Sequence, residues 1–77
     1  MNAQRRKKAN TAQNILEAVK EELEELLEEE EEARDNIPES LQSTERYERA
    51  EAACDALSET IDFIQEAIDS IERACEQ

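Results

Sequence analysis

The sequence predicts an all-α fold: an antiparallel two-helix coiled-coil hairpin that dimerises into a four-helix bundle. Three observations carry this reading. The 77 residues contain no Gly and one Pro, too few turn-formers for a sheet. Two stretches place apolar residues in alternating steps of three and four, the coiled-coil spacing. The two stretches have similar lengths, and the Pro lies between them.

The first helix is expected at about residues 3–35, with its stripe at Ala9, Ala12, Leu16, Val19, Leu23, Leu26 and Ala33. Glu30 stands where another apolar residue belongs. The body Ile15–Glu32 consists of strong helix formers. The start is less defined, because Arg5–Lys8 set positive charge at the positive end of the helix dipole. A later start, capped by Asn10 or Thr11, is the alternative. Asn36-Ile37-Pro38 ends the helix: the residue before Pro disfavours α geometry, and Pro cannot donate to the ladder.

Residues 36–43 form the expected turn, with Ile37 and Leu41 folding over the hairpin tip beside Tyr47. Ser43 or Thr44 then caps a second helix at about 44–75, and Glu45 and Glu48 suit the first turn. Its stripe is Tyr47, Ala50, Cys54, Leu57, Ile61, Ile64, Ile68, Ile71 and Cys75. Folding one stripe onto the other pairs Leu16–Ile64, Val19–Ile61, Leu23–Leu57 and Leu26–Cys54, each pair adding to 80. Glu30 then faces Ala50 and is expected to lean out toward Arg46 or Arg49, since a buried lone carboxylate is costly.

A lone hairpin leaves its flanks bare, so self-association or a larger partner is expected. Ile15 and Leu27 flank the first stripe. Ala53, Thr60, Ala67 and Ala74 form a small-residue ridge beside the second, and Ala53, Thr60 and Ala67 are the candidate dimer contact. Phe63 lies on neither stripe. It is either an isolated exposed aromatic or an interface anchor.

Cys54 and Cys75 are some 30 Å apart along one helix, too far to bridge. At seam positions they read as small hydrophobes. Two distant Cys and no His make no zinc set. No Glu-x-x-His pair, EF-hand loop, Gly-rich phosphate loop or nucleophile–base pair is present. The expectation is a protein that is not an enzyme and uses no metal or cofactor. No apolar stretch follows Arg5–Lys8 as an export signal requires, and none approaches a membrane span. A soluble, cytoplasmic protein is expected.

Net charge is −13, from twenty-two acidic and nine basic residues. From Ala9 onward the balance is twenty-two against five. Such a chain is repelled by nucleic acid and by anionic membranes, so its expected partner is a basic surface. Glu21 to Asp35 hold ten carboxylates in fifteen residues. The candidate partner-binding residues are Glu21, Glu22, Glu24, Glu25, Glu28, Glu29, Glu31 and Glu32 on the first helix. Asp55, Asp62, Glu66 and Asp69, with Phe63 as a possible anchor, make the second group. The plain alternative is a solvated coiled-coil exterior, but few cations are interspersed. The Arg5–Lys8 cluster is expected to pair with Asp69, Glu72 and Glu76 at the open end, with a separate binding arm as the alternative.

Asn36-Ile37-Pro38-Glu39-Ser40-Leu41-Gln42, then Glu45-Arg46-Tyr47-Glu48, then Ala67–Ile71 resemble a family of small acidic helical proteins of Firmicutes genomes, phages and mobile elements. The likeness spans about residues 36–74. The family has no assigned activity to transfer, but its setting implies an accessory or anti-defence role. Small acidic phage proteins that inhibit CRISPR effectors are a precedent in kind rather than in sequence. Two functional readings follow. One is an inhibitor whose carboxylates occupy a basic nucleic-acid-binding surface by mimicry; the other is a structural homodimeric adaptor that docks another helix.

Overall fold

The computed structural model describes all residues, 1–77. Two helices, α1 (Ala3–Asp35) and α2 (Glu45–Cys75), pack antiparallel on either side of a 3-10 turn at Glu39–Leu41. The hairpin is a rod with Cα extents of 59 × 15 × 12 Å.

α1 starts early despite its basic first turns. The Asn2 side chain accepts the Arg5 amide at 2.8 Å, which satisfies one of the unpaired N–H groups there. Thr11, an alternative cap in the sequence reading, lies inside the helix and donates to the Lys7 carbonyl instead. The basic cluster does not pair with Asp69, Glu72 or Glu76, since neither ion pair in the molecule involves it. Arg6 Nε donates to the Cys75 carbonyl at 3.0 Å, and the Met1 ammonium to the Gln77 carbonyl at 2.8 Å. Positive charge thus meets the C-terminal pole of α2 through carbonyls, where the dipole attracts it.

The turn manages without glycine because no residue takes a positive φ. Asn36 ends α1 in right-handed geometry, its amide reaching the Glu32 carbonyl at 3.0 Å. Pro38 and Leu41 close the 3-10 turn at 2.8 Å. Ile37 folds under the tip and is 5% exposed, whereas Leu41 stays out at 44%. Thr44 occupies the cap position of α2, but its hydroxyl points back to the Leu41 carbonyl at 2.6 Å. Neither it nor Ser43 supplies the expected side-chain cap; Thr44 ties the turn instead.

The α2 stripe faces α1 as expected, with Cys54 and Ile68 buried. The α1 stripe is rotated. Its half-buried residues are Ala9, Gln13, Leu16, Lys20, Leu23, Leu27, Glu30, Glu31 and Arg34, so that, Glu31 apart, every second expected position is displaced by one. Ala12, Val19, Leu26 and Ala33 are exposed, Val19 by 38% and Leu26 by 40%, which sets the expected pairs Val19–Ile61 and Leu26–Cys54 at the edge of the seam. Long side chains account for this choice. Lys20 and Arg34 lay their stems along the seam edge and keep their charged ends in polar surroundings. Lys20 Nζ donates to Gln65 Oε1, while Arg34 Nε pairs with Asp35 at 3.1 Å. Glu30 is half-buried and makes no ion pair; Arg49, one of its expected partners, binds Glu45 at 2.6 Å.

Only Ile37, Cys54 and Ile68 are buried, so each carries a large share of the packing. Ile68→Ala is expected to lower unfolding stability by about 2–4 kcal/mol. Leu41→Ala, at an exposed position, should cost less than ~1 kcal/mol. Urea unfolding followed by circular dichroism measures both, and equal costs would contradict this division of the apolar residues.

Candidate acidic binding face

Helical periodicity and the cross-helix contacts fix which flanks share a side of the hairpin. Lys20 meets Gln65, and Cys75 Sγ lies 3.8 Å from Asn10 Oδ1. The Asn10–Lys20 flank of α1 and the Gln65–Asp69 flank of α2 therefore form one broad face. At about 100° per residue, Glu17, Glu21, Glu24, Glu28 and Glu31 belong to that face. So do Asp55, Asp62 and Asp69, along with Glu48, Glu51, Glu72 and Glu76.

This geometry divides the sequence-predicted set. Glu21, Glu24, Glu28, Glu31, Asp55, Asp62 and Asp69 come together on one face. Glu25, Glu32 and Glu66 project from the outer edges of the rod. Glu22 and Glu29 turn toward the opposite broad face, as does Phe63, which is 59% exposed. Phe63 is thus separated from the Asp55–Asp62–Asp69 line. Glu17, Glu48, Glu51, Glu72 and Glu76 stand on this face outside the sequence-predicted set, although Glu17 lies one heptad before Glu24, Glu48 one before Asp55 and Glu76 one after Asp69.

The face is electrostatically bare. The molecule has two ion pairs, Arg34–Asp35 and Glu45–Arg49, so the other carboxylates have no cation within 4.0 Å. Lys20, the cation nearest the acidic run, is engaged by the Gln65 amide oxygen, and Gln65 Nε2 in turn donates to Asp69 at 3.0 Å. The Asp35 carboxylate beside Arg34 pushes that guanidinium further above its ordinary value.

Charge is also uneven along the rod. Residues 20–60, the turn half, hold sixteen carboxylates and four cations, a net −12. The remaining residues, at the open end, hold six and five, a net −1. No surface pocket is present, and no three acids or cysteines converge as a ligand set. What the arrangement offers is a concentrated negative field on a rigid rod. No helix is long and apolar enough to cross a membrane.

No protein-family model matches the chain, and no curated protein or solved structure is significantly similar to it.

The two cysteines differ sharply in setting. Burial pushes the Cys54 thiol above its ordinary value of 9.0, with Glu31, Glu30 and Asp55 reinforcing the shift and Arg34 opposing it. A disulfide-exchange reagent should therefore label half-buried Cys75 at least ~10-fold faster than Cys54. The raised thiol also links to folding. Its stabilising effect is full below the ordinary thiol value and fades as pH rises through the higher folded one. Equal labelling rates in the folded protein, or a Cys54 rate that already plateaus below pH 9, would contradict this assignment.

Proposed function

We propose that this protein acts by binding, with its acidic broad face and turn half occupying the basic nucleic-acid-binding surface of another protein. The observation that supports this is the net −12 carried by residues 20–60, with only Asp35 and Glu45 of those acids paired. Half of the 59 Å rod then bears about one net charge per 2.5 Å, against ~1.7 Å for duplex DNA. Glu21, Glu24, Glu28 and Glu31 make the first contact row and Asp55, Asp62 and Asp69 the second. A partner with a Lys/Arg groove would release counterions on binding, so the complex would be salt-sensitive. The reading includes no enzymatic step, a cytoplasmic setting, and a homodimeric four-helix bundle as the working form. The resemblance of residues 36–74 to proteins of phages and mobile elements directs the search toward host nucleic-acid enzymes, CRISPR effectors among them.

A second reading has its own support. Ile15, Val19, Leu26 and Phe63 are exposed by 58%, 38%, 40% and 59%, which suits an adaptor that docks another helix beside Ala53, Thr60 and Ala67.

Pull-down at low and high salt, with duplex DNA as competitor, separates the two. The mimic reading expects nucleic-acid-binding proteins that are released by salt and by DNA. It also expects that reversing Glu21, Glu24 and Glu28 to Lys lowers affinity at least ~100-fold while helicity is kept. Binding untouched by that reversal and by salt, but lost in Thr60→Glu, would favour the adaptor and end the mimic reading.

A further inference from the structure

We propose that a second copy of this chain covers the apolar broad face of the hairpin in an antiparallel arrangement. α1 lies on the partner's α1, α2 on the partner's α2, and the turn of each copy sits over the open end of the other. This rests on the reading of the working form as a homodimer, and it assigns the face and the orientation.

The first argument is the width of the α1 stripe. At about 100° per residue, Ile15 and Leu26 lie at one edge and Leu27 at the other, an arc of about 120°. α2 covers most fully the part holding Leu16, Leu23 and Leu27, and leaves Ile15, Val19 and Leu26 exposed by 58%, 38% and 40%. A helix with apolar residues on two adjacent directions is a helix with two neighbours, as in a four-helix bundle. The contacts that place Lys20 beside Gln65 put the uncovered flank on the same side as Thr60 and Phe63 of α2. Val19 and Thr60 both lie near the middle of their helices, so a two-fold axis through that region covers the whole patch with itself.

Area supplies the second argument. A compact monomer of 8.9 kDa exposes about 4,800 Å². This chain exposes 5798 Å², about 1,000 Å² more. An elongated rod of this size therefore has surface to spare for the ~800 Å² per partner of a standard stable interface.

Charge selects the orientation. Parallel stacking would set one −12 half on another, whereas antiparallel stacking sets each −12 half on a −1 half. In detail it brings Lys8, on the apolar flank of α1, toward Glu29 of the second copy. Ala12 then opposes Leu26, small against large, and Val19 meets its own counterpart near the axis. Both acidic broad faces point outward, away from each other.

Sedimentation equilibrium should give twice the 8.9 kDa chain mass. Ile15→Glu with Val19→Glu should raise the dimer dissociation constant at least ~100-fold while the chain stays helical, because both residues are exposed in the hairpin. Glu25→Gln, at the outer edge, should leave assembly unchanged. Orientation is read from a spin label at Ser40→Cys in a Cys54→Ala, Cys75→Ser background that retains helicity and dimer mass. Antiparallel copies place the two labels at opposite ends of the rod, about 50–60 Å apart, whereas parallel copies place them within ~25 Å. A monomeric mass at millimolar concentration would overturn the dimer itself. A dimer indifferent to the Ile15/Val19 pair would overturn the face, and one with the short label distance would overturn the orientation.

Discussion

Everything in this molecule depends on a seam too narrow to enclose a core. Two helices can bury the line where they touch and little else, and here only Cys54 and Ile68 on that line are fully buried, with Ile37 sealing the turn. Small domains are marginal because so little of their surface leaves water. The hairpin compensates along its edges. Lys20 and Arg34 extend over the seam, Arg6 ties the last turn of α2 to the first turns of α1, and Thr44 binds the turn to the second helix.

The same edge contacts explain which parts of the structure were legible in the sequence. The helices and the turn could be read directly, because a missing Gly, a single Pro and a heptad spacing leave few alternatives. The α2 stripe was also legible, since the set one position away, Ala53, Thr60 and Ala67, is small and offers no large aliphatic to rival Ile61 and Ile68. α1 was ambiguous. Ala9, Leu16, Leu23 and Glu30 belong equally to a stripe continued by Ala12, Val19 and Leu26 or to one continued by Gln13, Lys20 and Leu27. Counting apolar residues selects the first; the structure takes the second, in which Lys20 and Arg34 act as amphipathic covers. Hydropathy alone does not register that use of a long charged side chain. The acidic face was read in part for the same reason. Which glutamates share a side depends on the rotation of α1, so Glu22 and Glu29 were grouped with residues they do not adjoin.

Rotation of α1 has an electrostatic consequence as well. With Lys20 on Gln65 across the seam and Arg34 on its own neighbour Asp35, the cations nearest the Glu21–Glu32 run are already engaged. Arg6, at the other end, does comparable work on a carbonyl of α2. These cations support the fold, and the carboxylates of the turn half other than Asp35 and Glu45 are left without an ion-pair partner. Like charges along a helix weaken it. Their retention on Glu21–Glu32 has a structural cost, which a solvated exterior with alternating signs would avoid.

Burial gained on the opposite face would offset that cost. Ile15, Val19, Leu26 and Phe63 lie across a rod 12–15 Å thick from the acidic rows. Covering them adds apolar burial without bringing the two acidic faces together. Had α1 kept the stripe of Ala12, Val19 and Leu26 in its seam, the exposed apolar flank would have shrunk, and the long cations would have been free to neutralise the glutamates. A single rotation of one helix thus exposes the apolar flank and frees the carboxylates together. The two faces are complementary outcomes of one packing choice.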